Sequence, residues 1–206
     1  MGVQERRERE RAAQKGAVLD AAREILLEKG FRGTTTKGIA ERCELSEATL
    51  FFYFSNKDEI LVSLLFESIR FWAEGLDKIA KSGAGPEKKL DQIWRFHEKV
   101  NEEHPEYYLV SSYLAQPNVL EGVSEEVKEK IVQQSGENFQ RLASLLEEST
   151  GHSDGRHMAD AMWAIFLGLM VLRESRKNLG HGEVRSTKKD RATAFKWLKN
   201  GLQNKT

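Results

Sequence analysis

Residues 34–61 read TTTKGIAERCELSEATLFFYFSNKDEIL. Thr34, Thr35 and Thr36 offer an N-cap hydroxyl for a short helix carrying Ile39, Ala40 and Cys43. Leu45 leads into Ser46, a second N-cap, for another short helix running through Phe52. Two short helices around a tight turn, the second opening with small polar residues, match what a helix-turn-helix needs to lay its second helix in a major groove. On that reading Ser46 and Thr49 bring hydroxyls near phosphates or base edges, Ala48 permits close approach, and the Thr49 methyl can touch thymine. An ordinary helical hairpin satisfies the same spacing.

The aromatic run Phe51, Phe52, Tyr53, Phe54 separates the two readings, because with it the segment resembles the TetR/AcrR family motif. The threonine-rich helix start and the pair Ile39–Ala40 precede the turn as in that family. Ser46, Ala48, Thr49, Leu50, Phe54, Lys57 and Ile60 or Leu61 stand where the family's serine, small residue, Thr-Leu, Phe and Lys-to-Leu signature places them. The match covers about the first third of the chain, and the helical order after it also looks like the family's body. The resemblance implies a dimeric regulator, usually a repressor, whose body binds a small organic effector and thereby loosens its grip on double-stranded operator DNA. It brings Thr35, Thr36, Lys37, Ser46, Glu47, Ala48, Thr49, Phe52, Tyr53 and Lys57 to the duplex. Lys57 is the expected phosphate anchor, an ammonium group close to a positive helix end.

Three departures limit the carry-over. Phe51 stands where the family usually has a phosphate-contacting tyrosine, and Tyr53 is left to supply a hydroxyl instead. Glu44 replaces the usual turn glycine, which costs strain if the turn keeps a positive φ. Glu47, near the start of the reading helix, repels phosphates but can accept from a cytosine amino group. These departures give some support to a rival reading, an interaction module that keeps the helix-turn-helix only as a scaffold.

N-terminal to this segment, helical spacing of Val18, Ala22, Ile25 and Leu26 ends at Gly30, a left-handed C-cap position. Residues 1–14 alternate Arg6, Arg7, Arg9 and Arg11 with Glu5, Glu8 and Glu10 and hold almost no apolar anchor, which predicts a flexible arm or a helix extension. The head proper is expected over 15–54 and a helical ligand-binding and dimerisation domain over 55–206. Ser55 with Asp58 looks like the capping-box start of a long helix striped with Leu61, Leu65, Ile69, Trp72, Leu76 and Ile79. Pro86 suits a first turn and Pro105 a stop, bounding a stripe of Leu90, Ile93, Trp94, His97 and Val100. A short aromatic helix follows, then a long one capped by Ser124, one apolar almost all round between Met158 and Leu172, and a last one from Thr187. The expected fold class is therefore all-α, a three-helix head followed by a helical body.

In that body Phe66, Trp72, Trp94, His97, Tyr108, Tyr113, Phe139, Trp163 and Phe166 are available to line an effector cavity, which would favour a flat or amphipathic organic molecule over a strongly charged one. Most such aromatics are plain core in helical proteins. The helix around Met158–Leu172 has two apolar faces and so needs two partners, the domain core and a symmetry mate. The expected dimer surface comprises Trp163, Ile165, Gly168 and Leu172 with Phe195, Trp197 and Leu198 of the last helix.

Composition excludes several other classes. The 206 residues are 39% hydrophobic and 31% charged with three prolines, a balance for a globular helical protein and not a disordered one. Net charge is zero, which argues against a wholesale nucleic-acid coat but leaves room for a local basic surface. The apolar run from Ala161 to Leu172 is shorter than the ~20 residues a bilayer span needs, and no signal peptide is recognised, so the expectation is a cytoplasmic protein without membrane contact. Cys43 is the single cysteine, and the five histidines are scattered without metal-ligand spacing. No nucleophile and base stand out either; neither a cofactor, a metal nor catalysis is expected.

Overall fold

The computed structural model describes residues 2–115, 119–179 and 187–203, and among them every regular element is a helix. In chain order these are α1 (Val3–Gly33), α2 (Thr36–Arg42), α3 (Glu47–Tyr53), α4 (Lys57–Ala80), α5 (Pro86–Glu103), α6 (Pro105–Tyr113), α7 (Glu125–Thr150), α8 (Gly155–Asn178) and α9 (Thr187–Gln203). The all-α expectation holds. The chain forms two compact units, Met1–Ser68 with Leu109–Lys128, and Ile69–Tyr108 with Glu129–Thr206. Both α4 and α6 therefore begin in one unit and end in the other.

In the first unit α1 is helical from Val3 and breaks at Gly30, whose φ of 64° and ψ of −173° lie in a region open essentially to glycine. The break lets Thr34, fully buried, donate its hydroxyl to the Gly30 carbonyl at 2.9 Å and start the turn to α2. Val18, Ala21, Ala22, Ile25 and Leu26 bury one face of α1, and Ile39, Ala40, Leu50 and Phe54 supply the buried apolar side chains of the following segment. Arg42 ties α2 to α1 through Glu24 and Glu28, each at 2.8 Å. Arg23 does the same between α1 and α4 through Glu67 at 2.6 Å.

The start of α4 differs from the Ser55–Asp58 pairing read in the sequence. Asn56 accepts from the Glu59 amide at 2.8 Å, while Glu59 reaches back to the Ser55 amide at 2.6 Å, so the cap lies one residue later. Asp58 is thereby free for another partner, the Tyr113 hydroxyl, which donates to it at 2.5 Å. Phe31 stacks on the same Tyr113 ring at 5.1 Å between centroids.

The second unit is built on an aromatic core. Trp72 of α4, Trp94 and His97 of α5, Tyr108 of α6, and Trp163 and Phe166 of α8 form a continuous ring network with centroid separations of 4.6–5.6 Å along its main contacts. On α8, Met162, Phe166 and Met170 are buried while Ala161, Ala164, Gly168, Val171 and Leu172 are exposed. Among the described residues, one apolar face of α8 is buried and the other is exposed.

Candidate functional site

Thr35 and Ser46 are the N-caps of α2 and α3, accepting from the Gly38 amide and the Thr49 amide, both at 3.1 Å. Each cap satisfies a helix-end donor and fixes where its helix begins. Between them the chain turns at Glu44, which holds φ at 57°, the left-handed conformation the missing glycine would have adopted freely. The turn geometry is thus retained with a non-glycine residue and carries its strain.

On α3 only Leu50 is fully buried, while Glu47, Ala48, Thr49, Phe51 and Phe52 are exposed. The Ser46 and Thr49 hydroxyls share a hydrogen bond of 2.8 Å at the start of that exposed face. Thr36 donates its hydroxyl to the Glu47 carboxylate at 2.9 Å, a contact joining the first turns of α2 and α3. That bond orients the carboxylate which, on the sequence alone, repels phosphates but can accept from a cytosine amino group. Lys37 is exposed and Lys57, the first residue of α4, is half-buried. Tyr53 is half-buried, with its ring edge-on to Phe52 at 5.3 Å. All ten residues assigned from sequence to the DNA contact therefore lie in the helix-turn-helix segment or in the first turn of α4.

The expected effector residues divide. Trp72, Trp94, His97, Tyr108, Phe139, Trp163 and Phe166 come together in the second unit, where Phe139 meets the Trp163 ring at 5.7 Å. Phe66 and Tyr113 belong to the first unit, and Tyr113 is engaged with Phe31 and Asp58. His97 is fully buried; its Nδ1 pairs with the Tyr108 hydroxyl at 3.0 Å and its Nε2 has no protein partner. Burial pushes the His97 imidazole down to about 3, so it is neutral at physiological pH. Burial likewise raises the Tyr108 hydroxyl, against a smaller opposing pull from Arg191. Tyr113 is raised first by burial and then by its Asp58 neighbour.

Sequence reasoning missed Asn101 and Arg191, both buried beside this core. Arg191 donates to the Asn101 carbonyl oxygen at 3.3 Å, pairs with Glu102, and lies 3.8 Å from Glu98. Ninety residues separate the pair, and no local pattern announces it. Trp72 Nε1, Trp94 Nε1, Asn101 Nδ2 and Arg191 Nε join His97 Nε2 as buried polar atoms without a hydrogen-bond partner. Buried groups of this kind are usually paired.

The expected dimer residues also divide. Gly168 is exposed with open space where a Cβ would stand, and Leu172 and Trp197 are 49% and 72% exposed. Trp163 instead turns into the aromatic core, and Phe195 stacks on Trp94 at 4.7 Å. Ile165 and Leu198 are half-buried. Among the described residues no helix is long and apolar enough to cross a membrane, and no group of three His, Cys, Asp or Glu side chains is placed to hold a metal.

Residues 18–64 match the model of the bacterial regulatory proteins of the tetR family. The HTH-type transcriptional regulator YvkB of Bacillus subtilis is 52% identical over 48 residues, 23% of this chain and 25% of that protein. The chain matches a quarter to about half the length of such curated relatives. Among solved structures, the ketosteroid transcriptional regulator KstR2 of Mycobacterium tuberculosis superposes with a TM-score of 0.70 at 16% identity, covering 93% of this chain and 95% of that one. AibR, solved in complex with isovaleryl coenzyme A and operator DNA, gives 0.62 at 16% identity, covering 76% and 85%. At these identities the likeness shows the fold. These proteins are transcriptional regulators, a non-enzymatic class. Residues 18–64 thus carry a tetR-family segment, and the chain shares the fold of solved TetR/AcrR-family transcriptional regulators.

Proposed function

We propose that this chain is a ligand-responsive, DNA-binding transcriptional regulator of the cytoplasm, a homodimeric repressor that leaves its operator when a small organic effector binds its body. The observation that carries the DNA reading is α3 itself. It is a capped helix held by one buried leucine, with Glu47, Ala48, Thr49 and Phe52 turned to solvent. Thr49 and the Thr36-tethered Glu47 then read base edges, while Lys37 and Lys57 meet phosphates and set the register. Selection of genomic fragments with the purified protein tests this: an enriched palindrome is expected, and failure to retain any duplex at low salt rules the reading out. The exposure of Phe51 and Phe52 on α3, 48% and 69%, favours the interaction-module alternative, which duplex binding with a clear salt dependence would eliminate.

The effector reading rests on the unpaired indole, imidazole and amide nitrogens packed among rings in the second unit. His97 is neutral and Arg191 is already paired with acidic groups, so the region favours an uncharged, flat molecule bearing carbonyl-type acceptors. That AibR was solved with an acyl coenzyme A, and that KstR2 is named for ketosteroids, agrees with a body of this fold accepting organic ligands. The exposed stripe of small and apolar residues on α8 supports the dimer.

A further inference from the structure

The buried stripe of α1 does not stop where its apolar residues do. Val18, Ala22 and Ile25 lie on one face, and stepping back from Val18 by one, two and three turns reaches Gln14, Arg11 and Arg7, with Lys15 beside them. The helix continues without a break to Val3. One face of α1 is therefore core against the head over its second half and basic over its first half.

That basic half is not neutralised by its own neighbours. Of the acids in the extension, Glu10 accepts from Arg6 Nε at 2.9 Å and Glu5 caps the helix start at the Gly2 amide, 3.0 Å away. Glu8 stands about 100° around the helix from Arg7. Among the described residues Arg7 and Arg11 make no ion pair. Arg11 instead places its guanidinium 5.5 Å from the centre of the Phe52 ring, and Lys15 lies 5.0 Å from that of Phe54. An open cleft of about 680 Å³ results, lined by Arg7, Glu10, Arg11, Ala17, Phe52 and Tyr53, with the Glu10 carboxylate already held by Arg6. All of it belongs to one compact unit.

We infer that this cleft is a second DNA contact, in which Arg7 and Arg11 grip the phosphodiester backbone flanking the base pairs met by α3. The inference rests on the proposed DNA-binding function and extends it to an element outside the helix-turn-helix. Charge identifies the occupant: two unpaired guanidinium groups about 6 Å apart along the helix can each meet a separate phosphate oxygen. Position does the same, since one wall of the cleft is the end of α3. A duplex seated on α3 brings its adjacent backbone to that wall. Phe52 holds the Arg11 guanidinium by its ring face and still leaves the N–H edge free to donate.

The test is a titration of the purified full chain with a labelled random-sequence duplex over a potassium chloride series. Comparison is made with Arg7→Gln/Arg11→Gln, Arg7→Lys/Arg11→Lys and Arg6→Gln. The double glutamine variant should flatten the slope of log affinity against log salt by ~1.8 for each bound chain, two lost contacts at ~0.9 each. Arg6→Gln, whose charge is already spent on Glu10, should keep the parent slope. The double lysine variant should restore most of it. All three side chains are exposed, so helicity by circular dichroism should match the parent. A parent that binds with a double glutamine variant of unchanged slope overturns the cleft contact and leaves the helix-turn-helix function standing. So does a double lysine variant as deficient as the glutamine one, because phosphate neutralisation needs only the charge. A parent that retains no duplex at any salt overturns both.

Discussion

Glu44 holds φ at 57° without the glycine that would make this free. A left-handed residue with a Cβ costs ~1–2 kcal/mol. Replacing it with glycine also loosens the unfolded chain, which offsets ~0.5–1 kcal/mol of the gain. Glu44→Gly should therefore stabilise the protein by up to ~1 kcal/mol, raising the melting temperature by ~2–4 °C for a chain of this size. Differential scanning calorimetry reads this directly, and an unchanged or lower transition would show that the turn carries no such strain. At this scale the sequence is a good guide where a side chain acts on its own backbone. The caps at Thr35 and Ser46 and the break at Gly30 are all legible. The start of α4 is not, because Ser55 and Asn56 are both plausible caps and the Asp58 carboxylate goes to Tyr113, 55 residues away.

At the scale of an element, α5 shows how a helical face acquires chemistry. Trp94, His97 and Asn101 follow one another at i, i+3 and i+7, and each keeps a buried nitrogen without a partner. His97 also gives the fold a pH dependence whose sign is fixed. Its folded value is pushed down to about 3 by burial, below the ordinary 6.5, so the unfolded chain takes up the proton first. The stability it contributes is full above about pH 6.5 and is lost as pH falls towards the folded value, by at most ~1.4 kcal/mol per unit. His97→Gln, which can still pair with the Tyr108 hydroxyl, should lose less melting temperature between pH 7 and pH 5 than the parent does. Equal losses would mean that other groups set the acid sensitivity. Most carboxylates titrate below this window and do not obscure the comparison.

For the whole molecule, the exposed face of α8 is the feature that most needs a partner. Ala161, Ala164, Gly168, Val171 and Leu172 are exposed on one side of α8, and Trp197 of α9 is 72% exposed. On the proposed dimer these surfaces meet a second copy. Gly168→Arg is a clean probe because nothing within 4 Å would obstruct a Cβ there, so the single chain can fold around the substitution while the close helix approach is lost. Light scattering should give twice the chain mass for the parent and the chain mass for the variant. An unchanged mass for a folded variant, or a monomeric parent at micromolar concentration, sinks the assignment. Effector and operator, if both bind as proposed, must weaken each other by the same factor.

Whatever depends on neighbours in the chain is legible from residue order: the helical periodicities, the caps, the tetR-family segment and the two-faced character of α8. Each of these is set by side chains acting over one or two turns, where spacing alone decides who meets whom. Packing settles which aromatics share a core, that Trp163 and Phe195 turn inward, and that Asn101 meets Arg191 across 90 residues. It alone decides that Arg7 and Arg11 overhang the end of α3, and that Leu109–Lys128 joins the compact unit of the first 68 residues. These outcomes rest on how helices pack, and many sequence-distant pairings are compatible with the same apolar stripes until ridges, grooves and buried polar partners select one.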